Sequence, residues 1–143
     1  MKILRSLLIA AALVSAPLAA APVAVAQVSA IDYQMATSAI LGAGSRAAKV
    51  KAIKRVPSVG VIRLDFYTVP RFSSDLPDPA EFKILARKNA AGVARLQRAL
   101  QANPVTRAAL SKHGVDVDQV AGAQISSNGS LRLYIFSRWD VLR

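Results

Sequence analysis

Asn128-Gly129 lies between two runs of strand-like sequence, residues 120–126 and 131–136. Asn-Gly flanked by such runs is the strongest short hairpin signal a sequence carries. In the second run, Leu131, Leu133 and Ile135 take one face, and Arg132, Tyr134 and Phe136 the other. A chain with this segment must build a sheet, and the residues before it decide what covers that sheet.

Residues 59–67 predict a second well-patterned strand, with Ile62, Leu64 and Phe66 on one side and Val61, Arg63, Asp65 and Tyr67 on the other. Their β-branched and aromatic content fits a pleated surface. Residues 49–55 alternate less cleanly and carry Lys49, Lys51, Lys54 and Arg55. They read as a strand at a sheet edge or against solvent.

Three helices are expected. The first covers residues 27–44, with Ser29 as cap, Asp32 in capping-box spacing, and Gly42-Ala43-Gly44 as its end. The second covers residues 79–101, opened by Asp78, Pro79 and Glu81. Phe82, Leu85, Ala86, Val93, Leu96 and Leu100 form its apolar stripe, with Phe82, Leu85 and Leu96 as core residues. Gly92 inside it costs about 1 kcal/mol relative to alanine and permits close packing. The third begins at Asn103-Pro104 and ends at Gly114. The order α-β-β-α-α-β-β predicts an α+β fold: a small, mainly antiparallel sheet with helices packed on one face.

The first 26 residues have another purpose. Lys2 and Arg5, an apolar run at residues 7–14, and Ala24-Val25-Ala26 have the layout of a secretory signal peptide. Residues 1–26 are expected to be cleaved, leaving residues 27–143 as a single domain in the periplasm or secreted. An uncleaved membrane anchor is the competing reading. Pro17 and Pro22 and the alanine-rich composition argue against it, and no transmembrane span is expected after cleavage. The chain has no cysteine, which excludes disulfides, thiolate metal sites and a lipidated cysteine.

The chain carries a net charge of +11; without Lys2 and Arg5, 17 basic and 8 acidic residues remain, a net charge of +9. The sharpest concentration lies on the helix from Pro79. There Lys83, Arg87, Lys88, Arg95 and Arg98 fall opposite the apolar stripe, answered in that helix only by Glu81. Like charges four residues apart repel, so an external anion is a natural partner for this face. Outside the cytoplasm that partner is an anionic envelope component, a lipid head group or an acidic polymer, and not a specific nucleic acid. An ordinary solvated helix face is the plainer reading.

No catalytic, cofactor-binding or metal-binding residue is nominated. His113, the only histidine, sits in a helix's last turn where the dipole favours a cation. Asp116 and Asp118 read as turn residues, as do Asp75 and Asp78 as loop and cap residues. Neither a G-x-S-x-G elbow nor an S-x-x-K pair is present, and Gly42 to Arg46 is too short for a phosphate loop. Leu96, Leu100 and Asn103-Pro104, followed by a helix and two strands joined by Asn-Gly, locally resemble the opening of a BON domain, an exported module associated with phospholipid. Ser137 stands where that pattern has glycine, and no room remains for its next helix and strand, so no site residue is taken from it. The sequence thus points to a non-enzymatic binding or envelope-associated module using the basic helix face. A protein–protein module using a strand edge or the tail around Trp139 is the alternative. An enzyme without a recognisable signature ranks last.

Overall fold

A computed structural model describes residues 30–66 and 79–137. The signal segment, the Ser29 cap, residues 67–78 with the expected Asp78 cap, and the tail around Trp139 lie outside the described residues. Among the described residues there are five α-helices, two 3-10 turns and three strands.

The hairpin forms, with Gly129 and not Asn128 at positive φ: Gly129 N–H bonds to the Ser126 carbonyl (2.9 Å) and Ser126 N–H to the Ser130 carbonyl (3.0 Å). Strand β2 (Val120–Ile125) pairs antiparallel with β3 (Leu131–Ile135), and Gly129 in the turn adopts φ 90°. Strand β1 (Val59–Arg63) pairs with the other side of β3 in parallel, giving the order β1-β3-β2. The sheet is therefore mixed, which corrects the expectation of a mainly antiparallel one. The strand nearest to β1 in sequence is β2, yet β3 takes the centre, and it runs in the same direction as β1. The strand expected over residues 59–67 stops at Arg63, and Leu64–Phe66 turns into a 3-10 segment with Leu64 fully buried.

The strand expected at residues 49–55 does not exist. Helix α1 (Ala30–Leu41) is followed at once by α2 (Ala43–Lys51). Ala43, Ala47 and Val50 are buried at helical spacing, a stripe that residue-by-residue alternation misreads. Gly42 marks a break rather than an end. Its N–H still bonds to the Ser38 carbonyl (2.9 Å), and Arg46 N–H bonds to the Gly42 carbonyl (3.1 Å). The Arg46 guanidinium donates to the carbonyls of Ser38 (2.8 Å) and Ala39 (3.2 Å), filling the space a side chain at residue 42 would need.

The long helix expected over residues 79–101 is likewise divided, into α3 (Pro79–Lys88) and α4 (Ala90–Ala102), at Asn89. The Asn89 amide donates to the carbonyls of Ile40 (2.6 Å) and Leu41 (3.2 Å), just where α1 breaks from α2. Helix α5 (Pro104–Lys112) starts as expected: Asn103 Oδ1 accepts the Val105 N–H at 2.9 Å. It ends at Gly114, whose φ of 64° allows Val115 N–H to reach the Leu110 carbonyl at 3.0 Å.

Both faces of β3 are buried. Leu131, Leu133 and Ile135 join Val50, Val93, Leu96, Leu100 and Leu110 in one cluster. Tyr134 and Phe136 join Ile40, Leu64, Phe82 and Ala86 in another. The helices therefore cover two faces, not the one expected. Gly122, paired with Tyr134, makes this possible: a Cβ there would meet the backbone of Ala39 and Ile40 at 2.8 Å. Of the three residues predicted for the core, Phe82 and Leu96 are buried, and Leu85 packs half-buried at the margin.

Candidate anion-binding surface

The five cations of the predicted stripe do not share one helix. Lys83, Arg87 and Lys88 lie on α3, and Arg95 and Arg98 on α4, with the Asn89 break between them. Lys83 is half-buried; the other four are exposed.

What the structure brings together is a different set. Lys51 of α2 meets Arg95 and Arg98 of α4 around a groove of about 550 Å³. Gly44, Ala47, Ala48, Ala99 and Ala102 complete the lining, and among the described residues no acidic one is part of it. The reason lies in how α2 and α4 pack. The two helices run side by side and parallel, tied at both ends by asparagines. Asn89 holds the start of α4 to the Ile40 and Leu41 carbonyls. Asn103, beyond its end, donates to the carbonyls of Val50 (2.8 Å) and Ile53 (3.0 Å). Between the ties, a Cβ on Gly44 would stand 3.3 Å from the Gly92 Cα, so the glycines set the closeness of approach. Leu96 and Leu100, fully buried from α4, each contribute about 2 kcal/mol by burial. That offsets the helix cost of Gly92, about 1 kcal/mol.

The groove's charge has a structural component. Lys49 and Lys51 occupy the last turn of α2, where cations offset the helix dipole. Arg98 Nε donates to the Ala94 carbonyl of its own helix at 3.3 Å. Arg98 also borders a neighbouring hollow lined by Gln97, Gln101, Asp116 and Asp118, so its charge is shared between two surfaces. Gln97 ties that region down, donating to the carbonyls of Asp118 (2.9 Å) and Val120 (3.0 Å).

Lys54 and Arg55, expected on a strand, follow α2 in an irregular connection and are exposed. Asp116 precedes the 3-10 turn Val117–Gln119 and Asp118 lies within it, as turn residues should, and Asp116 N–H donates to Gln119 Oε1 at 3.3 Å. His113 caps the end of α5, its N–H bonded to the Leu110 carbonyl at 3.0 Å. Glu81 accepts the Tyr33 hydroxyl at 3.0 Å. The phenol is held above the usual tyrosine pKa, first by burial and then by that carboxylate. Among the described residues no group of three His, Cys, Asp or Glu is placed to hold a metal ion. Nor is any helix among them long and apolar enough to cross a membrane.

Sequence reasoning missed the groove's floor and its clamps. A signal existed: Gly44, Ala47 and Ala48 on one helix, and Ala99 and Ala102 on the other, are small residues at helical spacing. Compared with protein families, curated proteins and solved structures, the chain matches none, the BON family included.

Proposed function

We propose that the chain is an exported, non-enzymatic binding module whose α2–α4 groove meets an anionic component of the cell envelope, a lipid head group or an acidic polymer. One observation carries this reading. Lys51, Arg95 and Arg98 converge from two helices over a floor of alanine and glycine, with no acidic residue among the described residues of the lining. Small floor residues let an anionic group approach the guanidinium groups closely. Each cation near an anionic lipid surface contributes roughly 1 kcal/mol, and salt weakens the sum.

The test uses full-length protein with anionic and neutral vesicles over a salt series; the neutral vesicles register any contribution from the apolar N-terminal segment. Binding to the anionic vesicles alone, falling as salt rises, is expected. Arg95→Glu with Arg98→Glu should weaken it by about tenfold or more. Lys83→Glu with Lys88→Glu, on α3, should weaken it less. Unchanged retention of the α4 variant at low salt rejects the reading.

A second reading has its own observation. Among the described residues strand β1 is a sheet edge, on which Gly60, Val61 and Arg63 are exposed. An open edge is a template for a strand from a protein partner. Under that reading Val61→Lys removes the partner and leaves vesicle binding untouched.

A further inference from the structure

A second basic hollow lies on the other side of the α2 C-terminus. Lys49, Lys54 and Arg55 stand opposite Ser126, Ser127 and Asn128 of the β2–β3 turn. These six polar residues are all exposed, and among the described residues no acidic one joins them in a hollow of about 650 Å³.

The two walls are fixed to one another. The backbone at Gly129 lies so close to the Arg55 carbonyl that a Cβ would strike it, and the φ of 90° already requires glycine. Ser58 Oγ donates to Ser130 Oγ at 3.0 Å, and Leu131 N–H bonds to the Ser58 carbonyl at 2.9 Å. Within the turn, Asn128 Oδ1 accepts the Ser130 N–H at 2.9 Å. That engages the amide oxygen of Asn128, whose side chain is exposed. The hollow thus has cations on one wall and neutral donors on the other. A tetrahedral oxyanion uses both, taking charge from the first and short hydrogen bonds from the second. The hollow is wider than a bare phosphate, and Ala52, Ile53 and Ile125 line the remainder.

We propose that this hollow binds a phosphate-type oxyanion carried on a small organic stem, as a site separate from the α2–α4 groove. The same chemistry is presented by a phospholipid head group and by a free phosphate ester. The experiment follows the amide NMR spectrum of the full-length protein during titration with inorganic phosphate, glycerol phosphate, glycerol and sodium chloride at matched ionic strength. Phosphate and glycerol phosphate should move the amides of residues 126–129 saturably, and glycerol and chloride should not. Lys54→Gln with Arg55→Gln should weaken the response by about tenfold. Arg95→Glu with Arg98→Glu should leave it intact, so failure of the groove reading and failure of this one are distinguishable. Vesicles of phosphatidylglycerol that displace glycerol phosphate from the hollow assign the lipid as the source; vesicles that do not assign the free ester. The proposal is overturned if chloride reproduces the shifts, if residues 126–129 do not respond, or if the Lys54/Arg55 variant responds like wild type. Should that variant lose its dispersed spectrum, Ser126→Ala with Ser127→Ala decides, and a wild-type response rejects the site.

Discussion

On one side of β3 the buried cluster is wholly aliphatic, from Val50 and Leu100 to Leu133 and Ile135. On the other, Phe82, Tyr134 and Phe136 supply the bulk, and Tyr33 lies against Phe82 with ring centroids 5.0 Å apart. The aliphatic side closes by bringing two helices together through small residues. That leaves room above them for long charged side chains, and the basic groove forms there. The aromatic side closes by volume, with the α1 backbone pressed onto Gly122. Surface chemistry in this protein follows from which way each side of the sheet solved its packing.

Truncation in the two cores tests that contrast at its largest. Phe82→Ala should cost about 4 kcal/mol and Leu100→Ala about 3 kcal/mol, read from urea unfolding. A Phe82→Ala cost below that of Leu100→Ala would show that the aromatic side collapses around its cavity and is not held by volume. The glycines give a smaller and sharper comparison. Gly122→Ala forces a Cβ onto helix backbone 2.8 Å away, at a cost of about 2 kcal/mol. Gly44→Ala meets only the Gly92 Cα at 3.3 Å and recovers about 1 kcal/mol of helix propensity, so its net effect should lie near zero. Equal losses at both positions would remove the distinction drawn between the two sides.

The smallest effect is a pH dependence confined to the aromatic side. The folded-state pKa of Tyr33 lies above its value of 10.0 in an unfolded chain. Its contribution is therefore complete below that value and is lost as pH rises through the folded pKa. Alkaline unfolding of Tyr33→Phe should lack this component, and absorbance titration of the wild type should show a late-ionising phenol that Tyr33→Phe lacks. A Tyr33→Phe profile identical to wild type would deny the Glu81 contact any role in stability.

Much of the sequence was legible where local chemistry decides. Asn128-Gly129 produced its hairpin, Asn103-Pro104 its helix start, and Gly114 its helix stop. The apolar stripe marked Phe82 and Leu96 correctly. Reading failed where a contact made far along the chain overrides the local pattern. Asn89 breaks a helix because the carbonyls of Ile40 and Leu41 need its amide, and no local feature announces them. Lys49 and Lys51 look like strand residues until Ala43, Ala47 and Val50 are counted as a stripe. The candidate site suffered most. Two of the five stripe residues, Arg95 and Arg98, line the groove, and Lys51 arrived from a segment assigned to a strand.

The parallel pairing of β1 with β3 bears on the order in which the protein assembles. The β2–β3 hairpin closes a short loop and can form in about 1–10 microseconds. The Ser58–Ser130 contact joins positions 72 residues apart, and such a closure waits on the helices between them. The hollow between Arg55 and the hairpin turn therefore exists only in a chain that has finished folding. An anion bound there favours the completed state over every earlier one, and raises its stability in proportion to the logarithm of ligand concentration once that exceeds the dissociation constant.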